Sequence, residues 1–320
     1  MIRLTNDHYQ CSECRPTLAT MNDNDTEHFA AQRRRISVLD SSLAYFEAGA
    51  GTSLVFLHGN PLPARVWRGV LPRLAEQARC LAPDLIGMGD SDKPDIGYRF
   101  SDHARYLDAW FDALALDDVV LIGYDWGGAL AMDWAARHRE RVRGLVVFET
   151  FLRPMAWSEW TPAGAELFRA LRTPGVGEKM VLESNQFLAR SLHNGVRRGL
   201  SEQESAAYFA LYDQPATRRP ILQWTREIPI EGQPADVQDI VLRYDAWLAT
   251  SAVPKLLLSF ERPAELQPSP TGSPAVIAWA RQHVAALEVA ELPAAGHHAP
   301  EDVPHEISAA IAAWLARHAL

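Results

Sequence analysis

From Arg34 onward the chain alternates short, almost continuous apolar runs with stretches of helical periodicity, the pattern of a mostly parallel sheet covered by helices. Ile36-Ser37-Val38-Leu39 and Leu43-Ala44-Tyr45-Phe46 flank Asp40-Ser41-Ser42 and predict an antiparallel hairpin. Buried strands are predicted at Ser53 to His58, Cys80 to Pro83, Val119 to Gly123, Gly144 to Glu149, Lys255 to Phe260 and Leu287 to Ala290, because runs buried on both faces lose the polar alternation of an exposed sheet. A helix from about Val303 to Arg317 closes the pattern.

Between Thr150 and Ile228 no strand-like run occurs, and helical segments carry Trp157, Trp160, Phe168, Phe187, Tyr208, Phe209, Tyr212 and Trp224. An insertion of this size after a central strand predicts a helical cap over the sheet, residues 150–228, on a core formed by 34–149 and 229–320. Most of these aromatics are expected to hold the cap together, with two or three lining a cavity. Residues 1–33 are polar and without periodicity, so a disordered tail is expected. Met21 begins a segment that would serve equally well as a start.

Composition removes several classes of function. A formal net charge of -9, with no basic stripe beyond Arg33-Arg34-Arg35, argues against a nucleic-acid partner. No run of about 18 apolar residues is present and the first residues lack a secretory apolar core, so a cytoplasmic protein without membrane contact is expected. Cys11 and Cys14 have the spacing of half a zinc site, but no second cysteine pair completes it, and Cys80 lies in an apolar run. Neither metal nor cofactor is expected.

Gly123-Tyr124-Asp125-Trp126-Gly127-Gly128 follows a buried strand and precedes a helix, the context of a nucleophile elbow. Asp125 occupies the nucleophile position. A carboxylate of ordinary pKa is already an anion at neutral pH, and it suits displacement at saturated carbon without a base for the first step. His58-Gly59-Asn60-Pro61 ends an earlier buried strand, so the backbone N–H groups of Asn60 and Trp126 can form an oxyanion hole. The Asn60 amide and Trp126 indole add two neutral donors that could converge on a leaving anion.

The base is expected in the loop after the last strand, Gly296-His297-His298-Ala299-Pro300-Glu301-Asp302. His297 is favoured, since it follows the glycine and precedes Glu301 by four residues, with His298 as the alternative. For the acid that orients the histidine, Glu149 is preferred to Glu261 or Glu265. It ends a buried apolar strand, where an unpartnered carboxylate is costly, whereas the other two lie in a Pro-rich loop.

Taken together, His58-Gly59-Asn60-Pro61, Asp84 to Pro94, Asp125-Trp126-Gly127, Glu149 with Arg153-Pro154, and Val253-Pro254-Lys255-Leu256-Leu257 resemble the haloalkane dehalogenases, closest to the subfamily with an Asp, Glu and His triad and an Asn and Trp halide pair. The similarity runs from about Arg35 to the C-terminus. Departures are a shorter histidine loop, a compact hairpin before Ser53, and Ser259-Phe260-Glu261-Arg262. The resemblance implies an α/β-hydrolase fold, with an eight-stranded, mostly parallel sheet and an inserted helical cap. It also implies hydrolysis of haloalkanes to alcohol and halide through an alkyl ester on Asp125, with a small halogenated alkane, water and halide as the only partners of a monomer or weak homo-oligomer. Two rivals share much of the pattern. An epoxide hydrolase would require phenolic donors from the cap, for which Tyr208 and Tyr212 are candidates; a coelenterazine-type luciferase would keep the same triad.

Overall fold

The computed structural model describes residues 29, 31–261 and 270–320. Eight strands form one sheet: β1 (Arg33–Val38), β2 (Ser41–Ala48), β3 (Ser53–Leu57), β4 (Arg79–Pro83), β5 (Val119–Tyr124), β6 (Val142–Phe148), β7 (Lys255–Phe260) and β8 (Leu287–Leu292). Their spatial order is β1-β2-β4-β3-β5-β6-β7-β8, antiparallel where β2 meets β1 and β4 and parallel elsewhere. The continuous apolar runs are the central strands. All six residues of β5 are buried, as a parallel strand covered by helices on both faces requires.

The longer helices are α1 (Phe100–Ala113), α2 (Trp126–Arg137), α3 (Pro162–Arg172), α4 (Gln186–Gly195), α5 (Glu202–Phe209), α6 (Arg219–Glu227), α7 (Ala235–Thr250), α8 (Pro274–His283) and α9 (Pro304–His318). Helices α3 to α6 form the insertion between β6 and β7. No helix among the described residues is long and apolar enough to cross a membrane.

The parallel register brings the site together. Leu57 aligns with Gly123, and Tyr124 with Phe148, so β3, β5 and β6 stop at the same edge. The residues just past each end, Gly59-Asn60, Asp125 and Glu149, therefore stand side by side. Glu149 lies one residue beyond β6 rather than at its end, with φ 46°. Close packing of α2 on the sheet depends on Gly127, where a Cβ would lie 2.0 Å from the carbonyl oxygen of Leu57.

Two boundaries differ from expectation. Most of the segment expected to be a disordered tail, with Cys11 and Cys14, lies outside the described residues. Its end does not behave as a tail: β1 begins at Arg33, and the buried Phe29 ring stacks on Phe46 with centroids 3.7 Å apart. The arginine run is a paired strand edge, with Arg33 bridged to Asp90, Arg34 to Glu47 and Arg35 to Asp92.

A buried ionic cluster ties the insertion to the loop after β8. The Arg68 guanidinium grips both oxygens of Glu301, which also accepts from Tyr208 and Arg198, while Arg68 and Arg198 share Glu204. Asp302 accepts from the backbone N–H groups of Arg197, Arg198 and Gly296. Arg68 and Glu301 are 1% and 0% exposed, so the charges are satisfied by each other and not by water.

Candidate active site

One residue, Asp125, separates the last residue of β5 from the first of α2, and its backbone is bent to φ 51°, ψ -130°. A non-glycine residue at positive φ is strained, on the order of 1–3 kcal/mol, and persists only where its surroundings hold it. Here the Asp125 N–H donates to the Glu149 carbonyl at 3.0 Å. The Asp125 carbonyl accepts from the Thr150 hydroxyl at 2.6 Å and from Gly128 and Ala129 N–H at 3.1 and 3.3 Å. The turn delivers the carboxylate to the sheet edge. Gly59 leaves room for it, since a Cβ there would sit 2.3 Å from Asp125 Oδ1.

The two carboxylate oxygens have different neighbours. Asn60 N–H donates to Oδ1 at 2.7 Å, while His297 Nε2 stands 3.4 Å from Oδ2. On its other side, His297 Nδ1–H donates to Glu149 Oε2 at 3.2 Å, and the Thr271 hydroxyl lies 3.4 Å from the same oxygen. Burial disfavours the imidazolium of His297. The hydrogen bonds and negative charges of Asp125 and Glu149 outweigh that cost and lift its pKa to about 9.

His298 faces away from this pair of carboxylates. Its ring is fully buried, with Nδ1 hydrogen-bonded to the Tyr124 hydroxyl at 3.2 Å and Nε2 to Ser191 Oγ at 2.7 Å. Burial and the neighbouring His297 hold it well below the usual histidine range. The alternative base is thus a neutral tie between β5 and α4. Of the other acids considered, Glu261 is exposed, and Glu265 lies outside the described residues.

Asp125 and His297 open into a cavity of about 240 Å³, lined also by Asn60, Trp126, Phe168, Phe187 and Trp224. Three of the insertion's aromatics therefore line it, as the sequence led one to expect. Trp224 stacks on Trp126 with centroids 4.4 Å apart and so fixes the indole plane. The Trp126 indole N–H makes no hydrogen bond to a described residue. Asn60 Nδ2 donates one hydrogen to the Ile221 carbonyl at 3.2 Å, which ties β3's loop to α6 and leaves its second hydrogen. His58, singled out with this loop, is structural. Buried, with its pKa pushed down to about 4, it accepts from Leu85 N–H at 2.9 Å and pairs with the Gly59 carbonyl.

Residues 52–282 match the alpha/beta hydrolase fold family. A haloalkane dehalogenase of Mesorhizobium japonicum is 45% identical over 293 residues, spanning 89% of this chain and 92% of that protein. Another, of Bradyrhizobium diazoefficiens, is 41% identical over 300 residues, 88% of this chain and 94% of that one. The crystal structure of a haloalkane dehalogenase from Bradyrhizobium elkani superposes with a TM-score of 0.84 at 42% identity, covering 90% of this chain and 98% of the other. The chain belongs to the haloalkane dehalogenase family.

Within that family the geometry weighs against the epoxide alternative. Tyr208 donates to Glu301, Tyr212 donates to the Pro61 carbonyl at 2.9 Å, and neither lines the cavity. The phenolic acids an opening epoxide needs are thus committed elsewhere. Thr271 and Ser191 were not legible as neighbours of the two candidate site residues they touch, Glu149 and His298, because each contact spans more than 100 positions in sequence.

The charge environment of His297 carries a test. Asp125→Asn removes one of the two carboxylates that favour the imidazolium, so its pKa should fall from about 9 toward the ordinary value, as NMR titration of the ring would report. Because the folded-state pKa is raised, the stability this histidine contributes is complete below about pH 6.5 and is lost as pH rises through about 9. The variant should flatten that slope. An unchanged ring titration would exclude Asp125 as the cause.

Proposed function

We propose that this chain hydrolyses haloalkanes to alcohol and halide through an alkyl ester on Asp125, with Asn60 and Trp126 holding the leaving halide. The observation that carries the reading is a carboxylate held at an elbow, with a Glu149-bound imidazole beside it and Asn60 and Trp126, each with an N–H donor to spare, lining the same cavity. Asp125 Oδ2 attacks the carbon in line, a C–O bond forms, and the C–halogen bond breaks with its electron pair leaving on the halide. The donors of Asn60 and Trp126 stabilise the charge developing there. Water then gives a proton to His297 Nε2 and attacks Cγ of the ester. The oxyanion develops on Oδ1, against Asn60 N–H at 2.7 Å, with Trp126 N–H as the second donor of the hole. Collapse expels the alcohol's oxygen, which takes up a proton, and the carboxylate returns. The substrate's alkyl chain occupies the space lined by Phe168, Phe187 and Trp224 beneath the helical cap.

The test is purified protein mixed with bromo- and iodoalkanes, styrene oxide and coelenterazine, followed in parallel for halide, diol and light. Halide release from the alkanes is expected; diol or light without halide would overturn the reading. Trp126→Phe keeps an aromatic ring but removes the donor, and should lower kcat/KM for bromoalkanes about 10- to 100-fold, the worth of one hydrogen bond to a charged group. Unaltered kcat/KM in that variant would remove Trp126 from the halide site.

A further inference from the structure

The cavity wall is not uniformly apolar. Helix α4 contributes Arg190, Ser191 and Asn194 to it, alongside the apolar Leu167, Phe168, Trp224 and Ile228. Arg190 and Asn194 are four residues apart, so they share one face of the helix. Ser191 is occupied by His298. The side chains of Arg190 and Asn194, both exposed, make no hydrogen bond or ion pair with any described residue, although arginines across this chain are widely matched to carboxylates, Arg68, Arg137, Arg198, Arg226 and Arg243 among them. A cation without a counter-ion among the described residues and an uncommitted amide thus border the same cavity as Asp125.

From this we infer that the substrates this enzyme favours are haloalkanes bearing an anionic group at the end remote from the halogen, such as ω-halocarboxylates. The inference rests on the dehalogenase reading above and specifies its substrate class. A guanidinium offers a carboxylate two parallel N–H donors, and the neighbouring amide adds a third. The placement runs against the general field. With a net charge of -9, and with Asp125 in the cavity wall, an anionic substrate is repelled on average, so its recognition has to be local. A cavity of about 240 Å³ holds roughly eight groups the size of a water molecule, enough for a halogen, a short methylene chain and a carboxylate reaching toward the mouth.

The experiment compares ω-bromohexanoate with its methyl ester, which has the same length without the charge, by bromide release from the intact protein. Arg190→Gln should raise KM for the acid about two- to fivefold, and Arg190→Glu about tenfold, since reversal adds repulsion to the lost pair. The kcat for the acid, and both constants for the ester, should stay within about twofold. Asn194→Ala should move KM for the acid in the same direction by less. Salt raised from about 20 mM to 500 mM should erode the wild type's advantage for the acid and leave that of Arg190→Gln unchanged. An acid KM that does not respond to Arg190→Glu, or an ester KM that rises with it, overturns the inference while ester turnover still supports dehalogenation. If neither substrate releases bromide from the wild type, the dehalogenase reading fails and this one falls with it.

Discussion

His297→Ala is expected to convert the enzyme into a single-turnover reagent that alkylates itself and stops. The first step needs only the Asp125 carboxylate, which the substitution leaves in place with Oδ1 on Asn60 N–H. The second step loses the imidazole that lies 3.4 Å from Asp125 and is held by Glu149. Steady-state bromide release should fall by at least about 10³-fold, in line with removal of a general base that acts as part of a unit. A burst of bromide close to one equivalent should precede the stall. Mass spectrometry should find the alkyl group on the peptide containing Asp125, and Asp125→Ala should abolish that adduct. His298→Ala should not trap the ester, because His298 contacts Tyr124 and Ser191 rather than either carboxylate. Should His298→Ala accumulate the adduct and His297→Ala turn over normally, the assignment of the base is reversed.

Arg68→Met is expected to destabilise the fold by about 3–5 kcal/mol, the cost of leaving one partner of a buried ion pair behind. Glu301 is fully buried, and the substitution removes both of its contacts to Arg68 together with Arg68's contacts to Glu204 and Tyr208. Denaturant unfolding followed by tryptophan fluorescence would measure the loss. The double variant Arg68→Met with Glu301→Leu should recover part of it, since two apolar groups of similar volume leave no unpaired charge. A double variant less stable than Arg68→Met would mean that the remaining pairs of Glu301 with Arg198 and Tyr208 outweigh the isolated charge. The loop that carries His297 is clamped by this cluster and by Asp302, so halide release by Arg68→Met should fall more than the folded fraction does.

Strands buried on both faces announce themselves as continuous apolar runs, which is why β3, β5, β6 and β7 were legible to within a residue or two and why Asn60, Asp125 and Glu149 could be placed at one sheet edge. Position within the edge was less visible. Glu149 reads as the last residue of a strand, whereas its positive φ takes it just outside. Phe29 stands among polar residues without periodicity, and its stacking on Phe46 reveals that the fold begins before β1. His297 and His298 are chemically identical neighbours; what separates them is the direction each ring takes, set by Glu149 for one and by Tyr124 and Ser191 for the other. The same limit applies to Tyr208 and Tyr212, whose hydroxyls are claimed by Glu301 and Pro61, far away in sequence. Helical periodicity locates α4 without saying which of its faces meets the cavity, so Arg190 carried no signal.

The imidazole caught between two carboxylates also sets the order of events. Asp125 and Glu149 together raise the pKa of His297 to about 9, which favours the imidazolium in the resting site, and an imidazolium cannot accept a proton from water. On the mechanism proposed above, esterification of Asp125 would erase one of the two anions that favour that proton, so the His297 pKa would fall and the base would form once there is an ester for it to act on. Alkylation would thereby arm hydrolysis, and the order of the two steps would be set without a moving part.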